Sequence, residues 1–111
     1  MKYFVYSQEK EISADFPEEL TIEQAMLVID KHPAEDEFEG AFIGFVDDND
    51  DTLQFIRMEL DSWLLDHPVV HGGEYHYSYQ EDNLTTEKIK TILTDFFGGN
   101  DWKKHCKLQK V

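Results

Sequence analysis

The apolar residues of this chain recur with two periods, and the switches between them divide it into elements. Lys2–Tyr6 is a short aromatic strand, and the polar run "SQEKEISADFPEE" after it, with Pro17 near its end, predicts an irregular connection. "LTIEQAMLVIDKH" (20–32) takes up the helical period, with Ile22, Ala25, Met26 and Ile29 on one face. Thr21 predicts its N-cap and Gln24, three residues on, completes a capping box. Pro33 ends the helix, because the residue before a proline avoids helical dihedrals. Four strand-like segments follow at 41–46, 52–60, 63–67 and 74–80. Asp61–Ser62 leaves no room for a helix, so the second and third pair as a hairpin, and "HPVVHGG" joins the third to the fourth. Strict alternation in "EYHYSYQ" predicts Tyr75, Tyr77 and Tyr79 on one face and Glu74, His76, Ser78 and Gln80 on the other. The helical period returns in "TTEKIKTILTDFF", where Ile89, Ile92, Leu93, Phe96 and Phe97 form a buried stripe. Thr85 is its predicted N-cap and Gly98–Gly99 its stop. The segment after Trp102 fits a closing strand or a short helix.

The order is therefore β-α-β-β-β-β-α with an optional C-terminal strand. Short links favour an antiparallel meander of about five strands, with both helices on one face, as a single α+β domain over residues 1–111. A chain of 111 residues that is 41% hydrophobic and 14% aromatic can bury one core without metal or disulfide. No apolar run approaches the ~20 residues of a membrane span, and "MKYFVYSQEKEI" lacks a signal-peptide core. The single Cys106 fits a reducing compartment, so a cytoplasmic protein with no membrane partner is the expectation.

Charge changes the picture most. The net charge is −14, and all 24 acidic residues precede Trp102, whereas "WKKHCKLQKV" carries four lysines and no acid. Phosphate backbones need a basic stripe, so direct nucleic-acid binding is not expected, and attraction to a basic protein is. In an antiparallel meander the turns alternate between the ends of the sheet. One end then collects Glu35, Asp36, Glu37, Glu39, Glu59, Asp61, Glu81 and Asp82, and the other Asp47, Asp48, Asp50, Asp51, Asp66 and Glu74. These two acidic poles are the candidate partner-binding residues.

Other chemistry is weaker. "DDNDD" (47–51) suggests a calcium loop, but framing an EF-hand from Asp48 puts Leu53 where glycine makes the sharp turn, and the flanks read as strands. It is a hairpin turn, because Asp and Asn side chains bond their own backbone. His67, His71 and His76 with Glu74 have helical ligand spacings in a stretch that Pro68 and Gly72–Gly73 keep from being a helix, so surface histidines are expected rather than zinc. Cys106 sits among Lys103, Lys104, His105 and Lys107, cations that favour a thiolate, but no orienting acid or oxyanion site is legible. Without a Walker loop, dinucleotide fingerprint or G-x-S-x-G, neither a cofactor nor an enzyme is expected.

The run from Thr52 to Trp102 resembles immunity proteins of bacterial polymorphic-toxin and contact-dependent inhibition systems. The residues that carry the likeness are Leu53 and Phe55 in an L-x-F strand, and an apolar–acidic helix closing as F-x-x-G-x-x-W at Phe96, Gly99 and Trp102. The resemblance implies a cytoplasmic protein that binds one cognate toxin and blocks it, and no shared catalytic residue. A nuclease toxin with a basic groove suits the charge. The alternative is a nucleic-acid mimic that inhibits a DNA- or RNA-binding defence protein.

Overall fold

The two periods become two layers. The structure, a computed structural model, describes residues 1–111 apart from the side chain of His71. Its elements are β1 (Lys2–Tyr6), β2 (Glu11–Ile12), β3 (Glu18–Glu19), α1 (Ile22–Lys31), β4 (Phe42–Val46), β5 (Thr52–Glu59), β6 (Ser62–His71), β7 (Glu74–Leu84), α2 (Thr86–Phe97), a 3-10 turn (Trp102–His105) and β8 (Gln109–Lys110). One sheet of eight strands runs β2-β1-β4-β5-β6-β7-β8, with β3 also on β1, and every pairing is antiparallel. The α+β class and the β4–β7 meander match expectation, but the strand count does not. β2 and β3 are the unexpected strands, and β8 is the optional C-terminal one; all three are two residues each and exist only through their pairing to β1 or β7.

Paired residues project to the same side of a sheet, which sorts the side chains into faces. Tyr3, Val5, Ile43, Phe45, Leu53, Phe55, Trp63 and Leu65 share one face through their registers, and all are buried. Ala25 and Ile29 of α1 and Ile89, Ile92, Leu93 and Phe96 of α2 close over them in one cluster. Both helix starts are as expected. Thr21 and Gln24 form a reciprocal capping box, and Thr85 Oγ1 accepts the Lys88 N–H. Gly99, at φ +72°, ends α2 in the left-handed conformation that glycine tolerates.

Three expectations need correction. The third and fourth strands run on to His71 and Leu84, and most of "HPVVHGG" is strand rather than loop. Only Gly72–Gly73 turns, and positive φ at both residues is what a tight two-residue hairpin requires. Pro68 is tolerated inside β6 because the β5 pairing ends at Gln54↔Asp66, leaving it on a free edge. The hairpin between β5 and β6 turns at Leu60–Asp61, one residue earlier than predicted.

The third correction concerns the tyrosines. Val69 pairs with Tyr77 but Val70 pairs with Tyr75, so β7 carries an extra residue at His76. This bulge turns Tyr75 to the face away from the helices, beside Ser78, whose Oγ lies 3.0 Å from the Tyr75 hydroxyl. Tyr77 and Tyr79 stay together on the helix side, edge to face at 5.5 Å, with Lys110 Nζ 4.1 Å from the Tyr77 ring centre. The three tyrosines do not share one face.

Candidate functional site

The topology gathers the loops as the charge pattern requires. Tyr6 pairs with Phe42 at one end of the sheet and Lys2 with Val46 at the other. Residues 35–39, the Leu60–Asp61 turn and the end of β7 lie at the first end, and the 47–51 loop and the Gly72–Gly73 turn lie at the second.

At the first end, carboxylates divide into those that hold the fold and those that do not. Asp61 accepts the Thr86 N–H at 2.8 Å, capping α2 from another loop, and this bond holds its carboxyl below the usual carboxylate range. Glu35 accepts the Gly40 N–H, and Glu81, which lies within β7, accepts the Lys107 N–H at 2.7 Å. Asp82 takes only a long bond from its neighbour Asn83. Asp36, Glu37, Glu39 and Glu59 are exposed, and among the described residues their carboxylates make no hydrogen bond or ion pair.

The second end divides the same way. Asp47 accepts the N–H groups of Asn49 and Asp51, both at 2.9 Å, which shapes the hairpin loop, and Asp50 takes φ +62°. Asp51 meets His67 Nε2 at 2.9 Å, a bond that depresses the Asp51 carboxyl. Asp48 is almost fully exposed, 3.9 Å from the N-terminal amine, and the Asp50 carboxylate is unpaired among the described residues. Glu74 begins β7 beside this loop's end of the sheet, but Asp66 does not belong here. It pairs with Gln54 and Gln80 in mid-strand, on the open face.

Behind the first end lies a group that the charge pattern did not single out. Arg57, the chain's only arginine, is 9% exposed. Its Nε donates to the Leu60 carbonyl at 2.8 Å, and one terminal nitrogen donates to the carbonyls of His32 (2.9 Å) and Asp30 (3.3 Å). It thereby caps the C-terminus of α1, and it lies 5.1 Å from the Trp63 ring centre. The signal for it was period two, since Leu53, Phe55 and Arg57 alternate onto one buried face.

His32 stacks on Trp63 at 5.9 Å, and its Nε2 has no hydrogen-bond partner. Burial, with Arg57 nearby, pushes its pKa down from 6.5 to about 4. Unfolded, His32 takes up a proton near 6.5; folded, it does so only near 4. Between those values only the unfolded chain binds that proton, so acidification costs stability, about 2 kcal/mol by roughly pH 5. Asp51 and Asp61, depressed below 3.8, begin to contribute only at lower pH. Urea midpoints at neutral and mildly acid pH should therefore separate wild type from His32→Phe, which keeps the stack and cannot titrate. An equal pH dependence in both would exclude His32 as the cause.

The remaining chemistry is structural. Burial, and after it the Glu81 carboxylate, push the Cys106 thiol up to about 11, against the thiolate-favouring effect expected of its lysines. His105 Nε2 sits 2.5 Å from Asp95, tying the 3-10 turn to α2. Of the zinc grouping, His67 is buried against Trp102 and bonded to Asp51, and the His71 side chain lies outside the described residues. Among the described residues no three His, Cys, Asp or Glu side chains come together as a metal site, and no helix is long and apolar enough to cross a membrane. A cleft of about 240 Å³ between the 7–10 loop and the end of α1 carries mixed charge from Glu9, Lys10, Lys31 and Glu37. Compared with family models, curated proteins and solved structures, the chain matches none.

Proposed function

We propose that this is a binding protein without catalytic function that neutralises a basic protein, in the manner of an immunity protein blocking a cognate toxin. The observation that carries this reading is the set of exposed carboxylates at the ends of the sheet that hold no part of the fold in place: Asp36, Glu37, Glu39 and Glu59 at one, and at the other Asp50 together with Asp48, whose one contact is the N-terminal amine at 3.9 Å. Like charges held close together oppose folding, and a basic partner relieves that repulsion and is drawn in by it. The likeness to immunity proteins rests on residues of the core and names no binding residue. Leu53, Phe55, Phe96 and Trp102 are all buried, and Phe96 packs edge-on against Trp102.

The engaged carboxylates dictate the test. Asp61→Lys would uncap α2, so reversal belongs at Glu37→Lys with Glu39→Lys, and at Asp48→Lys with Asp50→Lys. Affinity capture from the native host at low salt is expected to yield a basic protein that salt releases. Each reversal at a steering pole should slow its association and flatten the salt dependence. Unchanged association rates in both double variants would leave the poles merely solubilising. A captured protein from which DNA or RNA displaces this chain would assign the nucleic-acid mimic instead.

A further inference from the structure

The helices cover one face of the sheet, and the other face is open. An antiparallel sheet with one solvated face ordinarily places polar residues there. Here the open positions of β5, β6 and β7 include Ile56, Leu64, Pro68, Val70 and Tyr75. Val70 and Tyr75 are 54% and 64% exposed. The strip continues across β4 to Phe42 and Val46. On β1, Phe4 lies over Gly44 so closely that a Cβ there would come within 2.0 Å of its ring.

Within this strip two polar groups are fixed in place. Asp66 accepts from Gln80 Nε2 at 2.8 Å through one oxygen, and its other oxygen takes no bond among the described residues. The Tyr75 hydroxyl is held by Ser78, itself 3% exposed. Asp66 and Tyr75 line one cleft of about 360 Å³, together with Ile56, Leu64 and Pro68. A carboxylate oxygen and an aromatic ring in one cleft match a lysine or arginine side chain.

We propose that this open face is the docking surface of the basic partner, and that the acidic ends steer it there. The inference rests on the function proposed above. The occupant is a basic protein that lays an apolar element along Ile56, Leu64, Val70 and Tyr75 and sets a cationic side chain beside Asp66. Charge selects it over the other occupants of an apolar face. A second copy would bring like acidic ends together, and an anionic lipid surface is repelled by a net charge of −14. Tyr75 and Asp66 are already held in position, so docking orders little that is not ordered beforehand.

Two synthetic peptides of equal length and equal lysine count test this by amide chemical-shift titration: one amphipathic, with leucine and tryptophan between its lysines, the other with glycine and serine in their place. At low salt the amphipathic peptide should bind at least about tenfold more tightly and shift Ile56, Leu64, Val70, Tyr75 and Ser78. Val70→Ser with Tyr75→Ala, both at exposed positions, should remove that excess while leaving the urea midpoint in place. Asp66→Asn should weaken both the binding and its salt dependence. Equal affinity for the two peptides, with shifts confined to residues 35–39 and 47–51, would overturn the docking face and leave the basic-partner reading intact. Binding of neither peptide would remove that reading, and the docking face with it. A dimer in sedimentation that Val70→Ser with Tyr75→Ala dissolves would make a second copy the occupant and also overturn the proposal.

Discussion

Replacing Arg57 with methionine is expected to lower the unfolding free energy by about 3–5 kcal/mol, because it strands buried acceptors rather than merely losing a charge. The guanidinium serves three carbonyls from two directions, those of Asp30 and His32 at the end of α1 and that of Leu60 in the β5–β6 turn. The Arg57 carbonyl in turn accepts the Glu35 N–H at 2.8 Å, so the same residue anchors the start of the 35–39 loop. No carboxylate lies in salt-bridge range of it among the described residues, although 24 are present in the chain. Its charge is balanced by carbonyl dipoles, including the negative end of α1. Lysine is a poor replacement, since one ammonium cannot reach both sides as the planar fork does. Arg57→Lys should therefore recover less than half of the loss in urea unfolding. An Arg57→Met midpoint within error of wild type would mean that water satisfies these carbonyls. Because the Arg57 side chain holds the Leu60–Asp61 turn of the first acidic end, the variant should also lower partner affinity without removing a single carboxylate, while the 35–39 loop keeps its bond to the backbone carbonyl.

What was legible in the sequence was local. The caps at Thr21 and Thr85 and the stripe from Ile89 to Phe97 depend on neighbours within one or two turns, and they were read correctly. The "DDNDD" turn was legible for the same reason, since Asp47 shapes its own loop. What was missed depends on partners far along the chain. Two-residue strands have no period, so β2 and β3 could not be read before β1 was placed, and β8 could be read only as one option for the C-terminal segment. The face of Tyr75 was misread because a single extra residue at His76 reverses the alternation, and nothing in "EYHYSYQ" marks a bulge. The third strand was read as ending at His67 because only the length of β5 shows that Pro68 sits on a free edge. The acidic ends were legible as charge but not as duty. The sequence does not say that Asp61 caps α2 while the Glu37 carboxylate makes no bond among the described residues, because that depends on which helix start lies above which turn. The apolar open face followed from the same limit: Ile56, Leu64 and Val70 have the composition of a core, and only the position of both helices on the other side leaves them uncovered.

Leu93→Ala should cost about 3–5 kcal/mol, toward the upper part of the usual range for such a change. Leu93 is 0% exposed, between Ile89 and Ile92 on one side and Phe96 on the other along the stripe of α2. The size of the loss depends on whether the helix can settle into the space left behind, and α2 is held at both ends. Its N-terminus is fixed by the Asp61 bond to the Thr86 N–H and by Trp63 Nε1 donating to Thr86 Oγ1 at 2.9 Å. Its last turn is fixed by the Gly99 and Asn100 N–H groups, which donate to Phe96 and Asp95, and by His105 against the Asp95 carboxylate. A helix pinned in this way cannot shift toward the sheet, so most of the cavity should persist. Phe96→Ala should cost a similar amount, about 3–5 kcal/mol, since it also strips the edge contact on Trp102. The two losses should not add, because the side chains share neighbours. Thr91 is the control on the exposed side of the same helix. Its hydroxyl only bonds back to the Glu87 carbonyl, so Thr91→Ala should stay within about 0.5 kcal/mol of wild type. Urea unfolding of the three variants decides the matter. A Leu93→Ala midpoint as high as that of Thr91→Ala would show that α2 moves to fill the space, and that its end contacts do not hold it.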